Sequence, residues 1–416
     1  MEPYFQKLQA WFGIDSRAFD LASLSDAEHA LHGLDFAEFV PRLTKWLKFG
    51  QRNIASSWKT HLSSCGSVQI WLNASRQSWH LTGNSSERSV TQLKAVSAGG
   101  RQLVIQPRAV VIAGGALEST RAVLELNEQA GSLSTGVSEL AGRFLQDHLS
   151  MRLGSIRLIK KTDRFQKIFA PIFEGSTMRS LRLEMDPTSL ARDQLPALYA
   201  HIIAEVAPDS GFAVVHNCLR ALQRRNLKDA LRFASQVPRT APEIAKLLFG
   251  RFVQHRMLFP GNCALFLQAD FELPPRHDNR IYLGAIGTDG RRRLHIDWDL
   301  DPSIPLVARA IQRHFGQFWM RNGLNQVAYL EFIDPSDLSD DWTRNVYDIY
   351  HPAGTTRMST DSTLGVVDQN LKLHGTGNVF VAGSSVFPSM GAANPTFTAM
   401  ALALRLADFI DRHEDG

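Results

Sequence analysis

The chain of 416 residues is 44% hydrophobic and 21% charged, with a formal charge of +4 and a pI near 9.0, which fits a globular protein of two domains or one composite domain. No apolar run reaches the ~18 residues of a membrane-spanning helix, and Cys65, Cys218 and Cys263 stand too far apart for a disulfide framework or a zinc site. The basic runs Arg224-Arg225 and Arg291-Arg292-Arg293 are short and lack interleaved aromatics, so no nucleic-acid partner is expected.

In chain order, residues 2–13 carry an amphipathic pattern that closes at Gly13 and predicts a short helix. A second helical stretch, rich in Trp and Lys, is expected over 36–60, and Val68–Leu72 is expected to open a β-rich region. Val90–Val96, the Gly99-Gly100 pair and Gln102–Ile105 read as a hairpin. Ala109–Ile112 is a continuous apolar run of the kind found in buried parallel strands. The small residues Ala113-Gly114-Gly115 then turn the chain into a helix over Leu117–Leu126, a strand–turn–helix order suited to nucleotide binding. The middle of the chain alternates predicted strands (Tyr199–Val206, Leu265–Phe271) with helices (Leu227–Ala234, Pro242–Phe252). Asn279–Leu283 and Leu294–Trp298 read as antiparallel strands across an Asp289-Gly290 turn, before a long helix over Pro305–Met320.

The last quarter is the most informative. It contains Tyr350-His351-Pro352-Ala353-Gly354-Thr355-Thr356-Arg357-Met358, then Val379-Phe380-Val381-Ala382-Gly383-Ser384-Ser385, then Asn394-Pro395-Thr396 at the start of an apolar helix that ends near Ile410. Each segment alone has an ordinary reading. His351 could be a loop histidine, and a strand ending in small residues could be a plain turn. Asn followed by Pro is a favoured helix start. Small residues after a buried strand also let backbone N–H groups approach a ligand closely.

Taken together and in order, these segments resemble the glucose-methanol-choline (GMC) family of FAD oxidoreductases. Their wording is most similar to its sugar- and gluconate-type dehydrogenase branch. Val110–Ser119, Gly142-Arg143-Phe144-Leu145-Gln146-Asp147-His148 and Asp278–Leu283 resemble further signatures of that family, in the same order. The resemblance implies an α/β (α+β) fold. An incomplete Rossmann-like FAD-binding domain would occupy 1–150 and 340–416. A substrate domain, an antiparallel sheet covered by helices, would occupy 151–339. It implies FAD as cofactor and no metal, with His351 as the base and Asn394 orienting the substrate oxygen. By the same resemblance Val68, Ala113 and Gly114 border the adenosine half of FAD. Gly383 and Ser384 lie against the cofactor, and Pro395 and Thr396 lie against the flavin ring.

The partners so implied are a small alcohol or sugar and an electron acceptor, either a protein or a quinone. A neutral histidine suits the base because it titrates near neutrality. An amide can hydrogen-bond the substrate oxygen without taking its proton. The chain contains no Gly-x-Gly-x-x-Gly, the segment that opens this family, so it is expected to be the C-terminal portion of a larger enzyme. Any signal peptide would precede that segment, which leaves the compartment open. The competing expectation is a remnant or binding module that holds no flavin. A hydrolase is disfavoured because no Gly-x-Ser-x-Gly occurs.

Overall fold

The computed structural model describes residues 1–24, 29–84, 87–159, 163–175, 177–288, 290–334 and 346–414. The first helix, α1 (Glu2–Trp11), ends as its pattern predicts, with Gly13 in the left-handed region at φ 56°. The helical expectation for 36–60 is corrected in its first half. Phe39–Trp46 forms a strand, β1, and the helix α2 spans only Ile54–Ser64. Phe39 and Leu43 of β1 are buried, but Pro41 and Lys45 share their face and hide the alternation. Proline is tolerated because β1 is an edge strand. The Lys45 ammonium is almost fully buried and lies 3.6 Å from the Asp15 carboxylate.

Val68–Leu72 carries no strand and its side chains are exposed. Regular β structure begins instead at β2 (Ser75–Gly83), followed by β3 (Arg88–Val96) and β4 (Gln102–Ile105) in an antiparallel sheet. The strand β5 (Val110–Ile112) leads into α3 (Gly115–Ala130) and α4 (Thr135–Leu140).

The largest sheet takes β6 (His148–Leu158), α5 (Asp163–Phe169), β7 (Ile172–Glu174), β8 (Thr177–Met185), α6 (Pro187–Asp193) and β9 (Leu198–Glu205) in succession. Three helices, α7 (Gly211–Gln223), α8 (Leu227–Ala234) and α9 (Val237–Phe252), separate β9 from β10 (Ala264–Glu272). The strands β11 (Arg280–Ile286) and β12 (Arg292–Asp297) pair antiparallel as expected, while Asp289 of their connection lies outside the described residues. The long helix α10 (Ile304–Arg321), β13 (Ala328–Phe332), β14 (Val346–Asp348), β15 (Val379–Val381) and α11 (Thr396–Glu414) complete the chain.

Among the described residues eight strands form the large sheet, all antiparallel, in the order β1-β8-β9-β10-β6-β13, with β7 beside β8 and β14 beside β6. Its two faces differ sharply because side chains alternate along each strand. Leu149, Met151, Leu183, Leu267 and Phe271 point to one face and pack with Ile311, Phe315 and Phe318 of α10 in one apolar core. Burying each such side chain contributes about 1.5–3 kcal/mol. The opposite positions, His148, Ser150, Arg182, Tyr199, His201, Gln268, Asp270 and Glu272, are polar. A second core joins α3, α11, β5 and β15. There Val379–Val381 runs parallel to Val110–Ile112; both runs are strands as expected, but Val111 of the predicted buried run is exposed. The helix α1 packs on α11 through stacked Phe5 and Phe397.

Candidate active site

The site is assembled by backbone hydrogen bonds between segments far apart in sequence. Residues 142–147 run between two of them. Ile281 N–H donates to Gly142 O and Leu145 N–H donates to Asn279 O, both at 2.8 Å, and Gln146 bonds Ala353 in both directions at 3.1 and 2.9 Å. The next residues of the His351 segment hold the turn after β15: Thr356 N–H donates to Ser385 O at 2.8 Å, and Ser384 Oγ–H donates to Pro352 O at 2.7 Å. Thr120 on α3 reaches across to Thr355 at 2.7 Å. Gly354 has φ 85°, and a Cβ there would lie 2.4 Å from Phe144 O and from Gln146 Nε2. The close approach therefore demands glycine.

This framework brings His351 against a residue that sequence reading did not single out, His148 at the start of β6. Their Nδ1 atoms are 3.1 Å apart and their rings are nearly perpendicular, at 88°. His148 Nε2 lies 2.7 Å from the carbonyl oxygen of Gly391. A carbonyl only accepts, so Nε2 of His148 carries the proton and its Nδ1 carries a lone pair. His351 Nδ1 must then donate to that lone pair. The consequence is that His351 Nε2 presents a lone pair, and no side chain or backbone group among the described residues bonds it. Burial, with the His148 ring as the next cause, holds His351 below the ordinary imidazole range, and burial does the same to His148. Both rings are accordingly neutral at neutral pH.

Two carboxylates fix the surroundings of this pair. Asp147 Oδ1 accepts the N–H of His351 at 2.8 Å. Burial raises the Asp147 carboxyl to about 6, against the lowering effect of the N–H groups of His351 and His148. Tyr350, one residue earlier, sits in the left-handed region at φ 62°, which costs a non-glycine residue about 1–3 kcal/mol and is typical of a functional segment. Glu272 Oε1 accepts from Ser389 Oγ and from Met390 N, both at 2.7 Å. It thereby holds the loop whose Gly391 carbonyl sets the tautomer of His148.

The polar face of the large sheet continues from this pair. Asp270 Oδ1 accepts from Ser150 Oγ at 2.5 Å and from Gln268 Nε2 at 3.1 Å, and its Oδ2 accepts from His201 Nε2 at 3.1 Å. Arg182 donates to His201 Nδ1 at 2.6 Å and lies over the Tyr199 ring. Burial and the Arg182 charge push His201 down to about 4, so it is neutral. Burial alone would raise the Asp270 carboxyl, but the donors from His201, Ser150 and Tyr199 outweigh it and hold it well below the usual carboxylate range. Tyr347 extends the same face by donating to Gln268 Oε1 at 2.9 Å. Among the described residues no carboxylate pairs with the Arg182 guanidinium within 4 Å. The only sequence signal of this face was the alternation of apolar and polar residues over Leu265–Glu272.

The structure brings some of the expected cofactor residues together. Ala113-Gly114 and Gly383-Ser384 follow the paired ends of β5 and β15, where Ala382 N–H donates to Ile112 O at 2.9 Å. This is the carboxyl end of parallel strands, where open α/β sheets bind ligands. A Cβ on Gly383, at φ 137°, would meet no atom of the described residues within 4 Å, and the same holds for Gly391. Both backbones thus face open space. Gln146 Oε1, bracketed by Gly354 and Pro388, is buried and has no hydrogen-bond partner among the described residues. Pro395 is buried and Thr396 opens α11, while Asn394, three residues from Gly391, is exposed and makes no hydrogen bond among the described residues. Val68 lies exposed in the loop after α2, where its N–H donates to Cys65 O at 3.2 Å.

Comparison with known proteins finds the following similarities. Residues 275–403 match the family model described as GMC oxidoreductase. Pyranose 2-oxidase of Tricholoma matsutake is 40% identical over 60 residues, 14% of this chain and 11% of that protein. Dehydrogenase str4 of Strobilurus tenacellus is 34% identical over 82 residues, covering 18% of this chain and 13% of that one. The structure of pyridoxine 4-oxidase from Mesorbium loti superposes with a TM-score of 0.55 at 16% identity, over 90% of this chain and 65% of that one. The alignments to these curated relatives thus span about an eighth of their length, and the structural match slightly under two thirds of the solved oxidase.

Proposed function

Starting from a chain that belongs to the GMC oxidoreductases, we propose that it carries the proton-accepting site and pocket wall of a flavin-dependent oxidation of a CH–OH group in an alcohol or sugar. The observation that supports this most directly is the hydrogen-bond chain from Gly391 through His148 to His351. It leaves one imidazole nitrogen, His351 Nε2, neutral, lone-paired and unengaged among the described residues. A hydroxyl placed there gives up its proton to Nε2 as the carbon–hydrogen bond breaks. Asn394 orients the same oxygen as the base takes its proton. Asp147 fixes the backbone of His351, so its ring turns only within the limits set by His148. The Ser150–Asp270–His201–Arg182 face supplies donors and acceptors for the other hydroxyls of a polar substrate.

FAD, when bound, supplies the two-electron acceptor that no side chain can provide. Ala113, Gly114, Gly383 and Ser384 would hold it, with Pro395 and Thr396 beside its ring and Val68 toward its adenosine half. The open space over Gly383 and Gly391 fits a flat group lying on the backbone. The electron acceptor that follows is proposed to be a quinone or a redox protein.

The test is His351→Ala in FAD-loaded protein. Turnover should fall about 10²–10⁴-fold with flavin content unchanged. Near-full activity across pH would remove His351 from the role. A chain that takes up no FAD under any loading condition would favour the binding-module reading.

A further inference from the structure

We propose that α7–α9 form a docking surface for an anionic lipid bilayer. This inference is independent of the reading of the active site. Residues 211–252 hold eight lysines and arginines against two carboxylates, a net charge of +6, whereas the whole chain carries only +4. The excess cation of the protein is concentrated in these three helices. In sequence, Arg224-Arg225 is a short pair. In the structure it joins Arg220, Lys228, Arg232 and Arg239, all exposed.

None of these six has an ion pair among the described residues, in contrast to Arg42 with Glu184, Arg280 with Asp297 and Arg321 with Glu38. The two acidic residues are already engaged: Glu243 accepts the N–H of Gly211, and Asp229 accepts from Asn226 Nδ2. The unit therefore presents unneutralised positive charge.

Charge alone would suit any anion. The apolar side chains on the same helices select a bilayer. Leu227 and Leu231, one turn apart on α8, are 69% and 71% exposed, and Phe249 and Phe252 on α9 are also exposed. Leu219 and Leu222 add a third exposed pair on α7, which packs against both other helices. Scattered exposed leucines are ordinary. Apolar stripes at helical spacing between unpaired cations are the pattern of a helix lying in a lipid interface. Cations meet the headgroups while Leu and Phe enter the acyl boundary. No helix among the described residues is long and apolar enough to cross a membrane, so the attachment is peripheral.

The experiment is vesicle co-sedimentation of the 416-residue chain. One set of vesicles is phosphatidylcholine alone, and the other contains about a third phosphatidylglycerol. Binding should require the anionic lipid and weaken as salt is raised. Arg224→Gln with Arg225→Gln should weaken it by roughly fivefold per charge. Leu227→Ser with Leu231→Ser should weaken it while leaving the salt dependence in place, and Phe249→Ser with Phe252→Ser gives a second test should the first pair perturb folding by circular dichroism. Absence of binding, or equal binding by all variants, overturns the proposal. So does a chain that self-associates through this face, shown by a dimer in size-exclusion chromatography that Leu227→Ser with Leu231→Ser dissociates.

Discussion

Replacing His148 separates its two hydrogen bonds, and the outcome can be worked from the geometry. Glutamine approximates the Nε2 position, so His148→Gln keeps a donor for Gly391 O and loses the acceptor for His351. Asparagine approximates Nδ1, so His148→Asn keeps the acceptor and loses the donor. A hydrogen bond of this kind is worth about 0.5–1.5 kcal/mol. Its loss shifts the tautomer balance of His351 by about two- to twelvefold, because 1.4 kcal/mol corresponds to about a factor of ten. In His148→Gln, kcat should fall by roughly that factor, while His148→Asn should retain more activity.

The acid limb of the rate profile reports the same link. His351 must be unprotonated to act, and burial together with the neighbouring ring holds it below its ordinary value. Loss of the His148 ring removes one lowering cause, so the acid limb should move to higher pH. Steady-state kinetics from pH 4 to 9 with flavin content measured in parallel would decide the matter (about the span over which a histidine base titrates). An unchanged kcat and an unmoved limb in both variants would refute the tautomer argument.

Other outcomes follow from the same geometry. Gly354→Ala combines a left-handed backbone with a Cβ 2.4 Å from Phe144 O, and should cost about 2–5 kcal/mol in urea unfolding. Asp147 has its folded value raised to about 6, above the ordinary ~3.9 of an unfolded chain. Its protonated form therefore favours folding, and that contribution is lost as pH rises through about 6. Asp147→Asn should flatten the dependence of Tm on pH between about 4 and about 6, measured by differential scanning fluorimetry. Independently of the geometry, the acceptor proposed above predicts that FAD-loaded protein reduces an artificial quinone or dye much faster than oxygen yields peroxide. The rate with an acidic protein acceptor should fall as salt increases, whereas rapid stoichiometric peroxide would make the protein an oxidase.

How much of this was legible in the sequence depends on the range of the interaction. Val110–Ile112 and Val379–Val381 were readable as strands because they are short, apolar and bounded by small residues. The helix α8 was readable because its pattern is local. The strand β1 was misread because Pro41 and Lys45 occupy its inward positions, and Lys45 is stabilised there by Asp15, 30 positions earlier. His351 stood out through the wording around it. His148 did not, although it ends the segment Gly142–His148, because its meaning lies in a contact across 203 positions. The same holds for Arg182, His201 and Asp270, each an isolated polar residue until three strands align them.

The long reach of these contacts has a kinetic meaning. The bond from His148 to Gly391 closes across 243 positions, and the one from Gln146 to Pro388 across 242. Contacts of such separation form late, after local helices and hairpins. The tautomer of His351 is therefore unset in any early intermediate. In refolding, circular dichroism should recover ahead of base competence, and fragments that preserve much of the secondary structure should still lack an active histidine.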